Sequence, residues 1–145
     1  IAPVRRREES VLLDVAQTVI QLDYAIRDAR VMARVAWRLT ETGYPLGARL
    51  ELSMLEFASA VRALEGHLEG AFDETLAARA AAVRATRIAA AATPPEDDLV
   101  FAHLVGQIRS TTVDLLRATG LPRDQAITAM LAGVSEGRGD AGGSR

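Results

Sequence analysis

Few side chains in this chain of 145 residues can do chemistry, and arginine dominates them: all seventeen basic residues are Arg, because the sequence has no Lys. Arg27, Arg30, Arg34 and Arg38 recur three or four residues apart, with Asp23 one turn before Arg27. On a helix that spacing makes one basic ridge, either a solvated face or a surface for an anionic partner or lipid headgroup. Arg109 and Asp114 are threaded among apolar residues between Gln107 and Leu121, which places at least one of them at a helix interface. A partly buried charge needs a partner. Asp23 and Arg27 stand at a comparable height on the first helix, so the pattern predicts a cross-helix polar cluster of these four residues, and a lowered thermal midpoint when Asp114 is removed. The run Arg5, Arg6, Arg7 has the composition of a juxtamembrane flank, since basic residues concentrate on the cytoplasmic side of membrane spans.

Metal and catalytic chemistry have thinner material. His67 stands between Glu65 and Glu69, and His103 follows Asp97 and Asp98. A di-metal carboxylate bundle takes Glu-x-x-His pairs from two helices, and neither histidine completes one. Glu69 and Asp73 have the acidic-x-x-x-acidic spacing of metal-binding bundles of the PhoU type. They support an alternative reading, a free-standing PhoU-like or sensor-type bundle that binds a ligand or metal through these carboxylates and a histidine, or through the arginine ridge. Ser10, Ser53, Ser59 and Ser110 lie in helical patterns, without the strained Gly-x-Ser-x-Gly turn of a nucleophile. The glycines form no phosphate-cradling loop, and Arg138-Gly139-Asp140 sits among glycines where such triplets arise freely. With no Cys there is no thiol or Cys-ligated metal chemistry. The preferred reading therefore has no catalytic residue, no metal site, no cofactor and no enzymatic activity.

The elements that must position these groups are helices. Half of the residues are hydrophobic by a broad count, 49%, but only 4% are aromatic, and Ala, Leu, Arg and Glu predominate. That composition favours helix almost everywhere and disfavours sheets. A net charge of −2 argues against nucleic acid as a partner, which selects strongly basic faces. The longest charge-free stretches fall short of the ~18 apolar residues of a membrane span. The first residue is Ile rather than Met, as expected of a piece of a longer protein.

Residues 1–9 read as a basic arm, 10–135 as a helical bundle and 136–145 as a flexible Gly-rich tail. Leu12, Val15, Val19, Leu22, Ile26, Ala29, Ala33 and Ala36 alternate three and four apart, predicting a long first helix from about Ser10 that Gly43 and Pro45 end. Mixed heptads of this kind permit self-association, so the chain is expected to be a homo-oligomer. Leu50, Met54, Phe57, Val61, Leu64 and Leu68 mark a second helix, and Leu76, Ala80 and Val83 a third, with Arg79, Arg84 and Arg87 partly on its wetter side. Pro95 to Asp98 would open a fourth, carrying Val100 or Phe101, Leu104, Ile108, Thr112 and Leu115 and capped by Gly120. A short fifth holds Ala126, Ile127, Met130, Leu131 and Val134. The expected fold is all-α, an antiparallel four-helix bundle with a short fifth helix.

Three segments together resemble a known family: Leu22 to Arg27 with Arg30 and Arg34, Ala60 to Leu64, and above all Ile108 to Leu121. Over roughly Arg5 to Met130 the chain is similar to the soluble C-terminal region of actinobacterial FUSC proteins, the fusaric acid resistance and aromatic acid exporter superfamily. The absence of Lys and Asn suits a GC-rich genome of that group. The resemblance implies a cytoplasmic helical domain attached to transmembrane helices of an inner-membrane exporter of small organic acids. Its partners would be the transmembrane part of the same protein and further copies of itself, with Arg5, Arg6 and Arg7 near the membrane surface.

Overall fold

The computed structural model describes residues 2–92 and 98–142. Among them are five α-helices and no strand: α1 (Ala2–Glu41), α2 (Ala48–Leu68), α3 (Phe72–Ala91), α4 (Leu99–Ala118) and α5 (Arg123–Gly142). The all-α expectation holds, with two changes of extent. α1 begins at Ala2, so the expected arm is helical through residue 9 and Glu8 and Glu9 follow the first turn. α5 is as long as α3 and α4, because the glycines expected to loosen it are what let it dock. Of Pro95 to Asp98, expected to open α4, Pro95 to Asp97 lie outside the described residues.

The turns follow local chemistry. Gly43, Gly70 and Gly120 take positive φ after α1, α2 and α4, where residues with a Cβ are strained. After α4 the backbone of Leu121 donates to the Leu116 carbonyl at 3.2 Å, closing a Schellman-type cap. Asp98 caps the start of α4, its carboxylate accepting from the backbone N–H groups of Val100 and Phe101 at 2.9 and 3.0 Å.

α3 is the centre of the molecule and packs on α2, α4 and α5. The periodicity expected Leu76, Ala80 and Val83 to face inward, but Leu76 and Ala80 are exposed and Val83 half-buried. The buried face holds Ala78, Ala81, Ala82, Ala85 and Ala89 with Thr75 and Thr86. Small residues serve a helix with three neighbours because they let backbones approach. Ser53 on α2 then reaches the Ala85 carbonyl at 2.7 Å, and Thr86 donates to the Thr112 hydroxyl on α4 at 2.9 Å. These bonds satisfy hydroxyls that would be costly to bury alone.

Against α5 the approach is closest. A Cβ at Gly133 would lie 3.0 Å from the Val83 carbonyl oxygen, and one at Gly137 would fall on the carbonyl of Arg87. Both glycines are buried. Arg84 and Arg87 lie on the wetter side of α3 as expected, paired with Glu56 and Glu136, while two other arginines secure helix ends. Arg79 on α3 donates to the Thr119 hydroxyl at 2.8 Å and to its carbonyl at 2.6 Å, at the C-terminus of α4. Arg49 on α2 donates to the carbonyl of Ala91 at the end of α3. Both place a cation where the helix dipole is negative.

α1 differs from the rest. Among the described elements it packs on α4 alone, antiparallel to it: Leu39 and Val35 lie by Leu99, Val100 and His103, and Gln17 and Thr18 by Arg117 to Arg123. Its buried residues are Gln21, Ala25, Met32 and Leu39. The stripe expected to be core is rotated away from α4, and Leu12, Val15, Val19 and Ile26 are exposed by 69, 56, 59 and 42%. The periodicity found a true apolar face, of which Leu22 and Ala29 pack partly on the core while no other described helix covers Leu12, Val15 and Val19.

Candidate functional site

The chemistry-bearing residues singled out by spacing are distributed over three places. On α1, Asp23, Arg27, Arg30, Arg34 and Arg38 are all exposed, Arg38 on the flank that meets Leu99, Val100 and His103 of α4. The ridge is internally braced: the Arg27 guanidinium lies 5.4 Å from the centroid of the Tyr24 ring, and Arg34 Nε donates to the Arg30 carbonyl at 3.3 Å. Arg27 also stands 3.8 Å from Asp28, a contact across open water on the Arg side. Neighbouring Trp37, the single Trp, is 67% exposed.

The cross-helix cluster does not form as one unit. Asp114 is half-buried on the edge of α4 that meets α1, and its field comes from Asp28 and Arg27 rather than from Asp23. Burial pushes its carboxyl above the usual carboxylate range, Asp28 pushes the same way, and Arg117 and Arg27 pull it back. Arg109 lies on the opposite edge of α4. Burial pulls its guanidinium below the ordinary arginine value, Arg138 on α5 adds to this, and its Nε is buried with no hydrogen-bond partner. The two residues are five apart, which turns them to different sides of the helix. Asp28, the carboxylate that faces Asp114, escaped sequence reasoning because it falls between the apolar stripe and the basic ridge.

The groups considered for metal are also dispersed. Glu69 and Asp73 are exposed on either side of the turn between α2 and α3. His67, beside them, is half-buried with Nδ1 at 2.7 Å from the Thr75 hydroxyl. His103 stands near Arg38, at the other end of the bundle. Among the described residues no three His, Asp or Glu side chains are grouped as metal ligands. Arg5, Arg6 and Arg7 belong to the first turns of α1, and their side chains lie outside the described residues.

What the fold does build is a groove. α1 and α2 both lean on α4 with their backbones held apart, leaving an apolar channel between them. Its deeper part, about 270 Å³, is floored by Ile108 and walled by Ala29, Met32 and Ala33 on one side and Met54, Phe57 and Ala58 on the other. It continues past Val61 to Leu22, Ile26, Leu64 and Leu68, where Arg62, Glu65 and Glu69 form a charged rim. Beyond the groove α1 projects past the end of the bundle, carrying Val11, Leu12, Leu13 and Val15, each more than half exposed. Contiguous exposed apolar residues of this kind are a feature of interaction surfaces.

No family model, no curated protein and no solved structure matches this chain. Among the described residues no helix is long and apolar enough to cross a membrane.

Proposed function

We propose that the chain is the cytoplasmic helical domain of a FUSC-like inner-membrane exporter of small organic, aromatic acids, a non-enzymatic platform for assembly or regulation. The reading rests on the resemblance noted for Leu22 to Arg27 and Ile108 to Leu121, two stretches whose elements form one interface. Ala25 on α1 and Leu115 and Leu116 on α4 are buried in the core that α1 and α4 share. The capped turn at Gly120 closes the second segment. The two stretches that carry the resemblance therefore serve one structural purpose.

In this reading the transmembrane part of the same protein is the first partner, reached through the start of α1, where Arg5, Arg6 and Arg7 would lie close to anionic headgroups. The exposed face of α1 supplies a surface for further copies. The coding sequence upstream of Ile1 tests the proposal. Several hydrophobic spans in frame are expected, and a start codon shortly before Ile1 with no spans refutes it.

A further inference from the structure

We propose that the apolar face of α1 is a self-association seam: a second copy of this chain lays its own α1 antiparallel along it, in the groove between α1 and α2. The seam gives the assembly role proposed above a surface, but the argument stands on α1 itself.

The first support is periodicity. The stripe from Leu12 to Ala36 keeps a strict three-four alternation, the 3.5-residue period of a helix that follows another helix and not the 3.6 of one resting on a flat surface. The second is a gradient of size. The large residues stand at the N-terminal end of the stripe and Ala29, Ala33 and Ala36 at the other. Antiparallel pairing turns that gradient into complementarity, setting Leu12 against Ala36, Val15 against Ala33, Val19 against Ala29, and Leu22 against Ile26. All eight positions are used in that register. A parallel pair would oppose large to large and leave the alanine end hollow.

The third support is shape. Ala29 and Ala33 line the groove, and Leu12 and Val15, at the large end of the stripe, stand on the part of α1 that projects beyond the bundle. Under a two-fold axis the projecting segment of each copy enters the groove of the other, an isologous contact. A concave channel walled by two helices accepts a third helix better than it accepts a lipid surface. Area agrees. Leu12 to Ala36 is about 36 Å of helix, and covering half the circumference of a cylinder ~10 Å across removes on the order of 600 Å² per copy. A standard interface takes about 800 Å² from each partner, and the rim of α2 with Trp37 adds to the seam.

The chain contains no Cys, so introduced thiols report the register directly. The purified chain is expected to sediment as a dimer at micromolar concentration. On mild oxidation an equimolar mixture of Leu12→Cys and Ala36→Cys should give several-fold more cross-linked dimer than either variant alone. Val15→Glu, at a position exposed in the single copy, should weaken dimerisation at least tenfold with helical circular dichroism unchanged. A chain that stays monomeric overturns the proposal, including one that instead binds vesicles containing phosphatidylserine. So does a dimer indifferent to Val15→Glu, or one in which Leu12→Cys cross-links best to itself. A monomer removes the seam and leaves the exporter reading to its own test, the upstream coding sequence.

Discussion

Asp114 shows how far a single residue's environment departs from its sequence neighbourhood. Its polar character among apolar residues pointed to a stabilising ion pair, yet burial and Asp28 both favour its neutral form. A carboxyl whose folded-state pKa is raised binds its proton more tightly folded than unfolded. Its contribution to stability is therefore full below the unfolded value of about 4 and is lost as pH rises through the raised value. Asp114→Asn keeps the shape and removes the charge, so the expected thermal midpoint at pH 7 rises, reversing the expectation from sequence. Because the group is partly solvated, a gain of about 0.5 kcal/mol, or ~2 °C for a chain of this size, is the scale to look for. Thermal melts at pH 7 and pH 3 check it: the variant's advantage should vanish at the lower pH. Arginine was similarly legible by type and not by task. Arg79 and Arg49 close the ends of other helices because the chain folds back to bring them there, and that proximity is not written in local spacing.

Elements were read more faithfully than residues, and where reading failed, tertiary context decided. Helix positions follow from periodicity and from Gly and Pro, so α2, α3 and the end of α4 lie close to expectation. On α4 the expected Phe101, Leu104, Ile108, Thr112 and Leu115 are all buried. The inward face of α3 was missed because alanine fits both a surface and a tight interface, and only the presence of three neighbours chooses between them. The end of α5 was missed for a related reason. Gly133 and Gly137, four apart, form a flat strip that lets α5 press on α3, whereas glycine in a sequence reads first as freedom. Two substitutions separate these roles. Gly137→Ala puts a methyl against the Arg87 carbonyl and forces the helices apart, with an expected loss of about 1–3 kcal/mol. Gly139→Ala meets open space, and better helix propensity should raise stability by about 0.5–1 kcal/mol. Denaturant titrations of both variants check the opposite signs. Equal losses would mean that α5 does not dock as described.

At the scale of the whole molecule the chain is unbalanced: α1 has 40 residues against 20 or 21 in each other helix, and its projecting part extends beyond the other described helices. Periodicity finds an apolar face but is silent on which molecule covers it, so the sequence reading assigned to the core a stripe that one copy leaves in water. In the antiparallel pair a two-fold axis crosses the seam near its middle, between Leu22 and Ile26, and the two N-termini emerge at opposite ends. Trp37 gives this arrangement a spectroscopic signature, because it stands one turn after Ala33, at the edge of the stripe, and is 67% exposed in one copy. In the proposed register it meets the partner's α1 beside Leu12. Its emission is therefore expected to move to shorter wavelength as protein concentration rises through the dimerisation range. In Val15→Glu it should stay at the position of a solvated indole at every concentration. Fluorescence dilution from tens of micromolar downward measures this, with no other Trp to confuse the signal. Emission that is independent of concentration in a chain that still dimerises would place the contact away from the alanine end of α1.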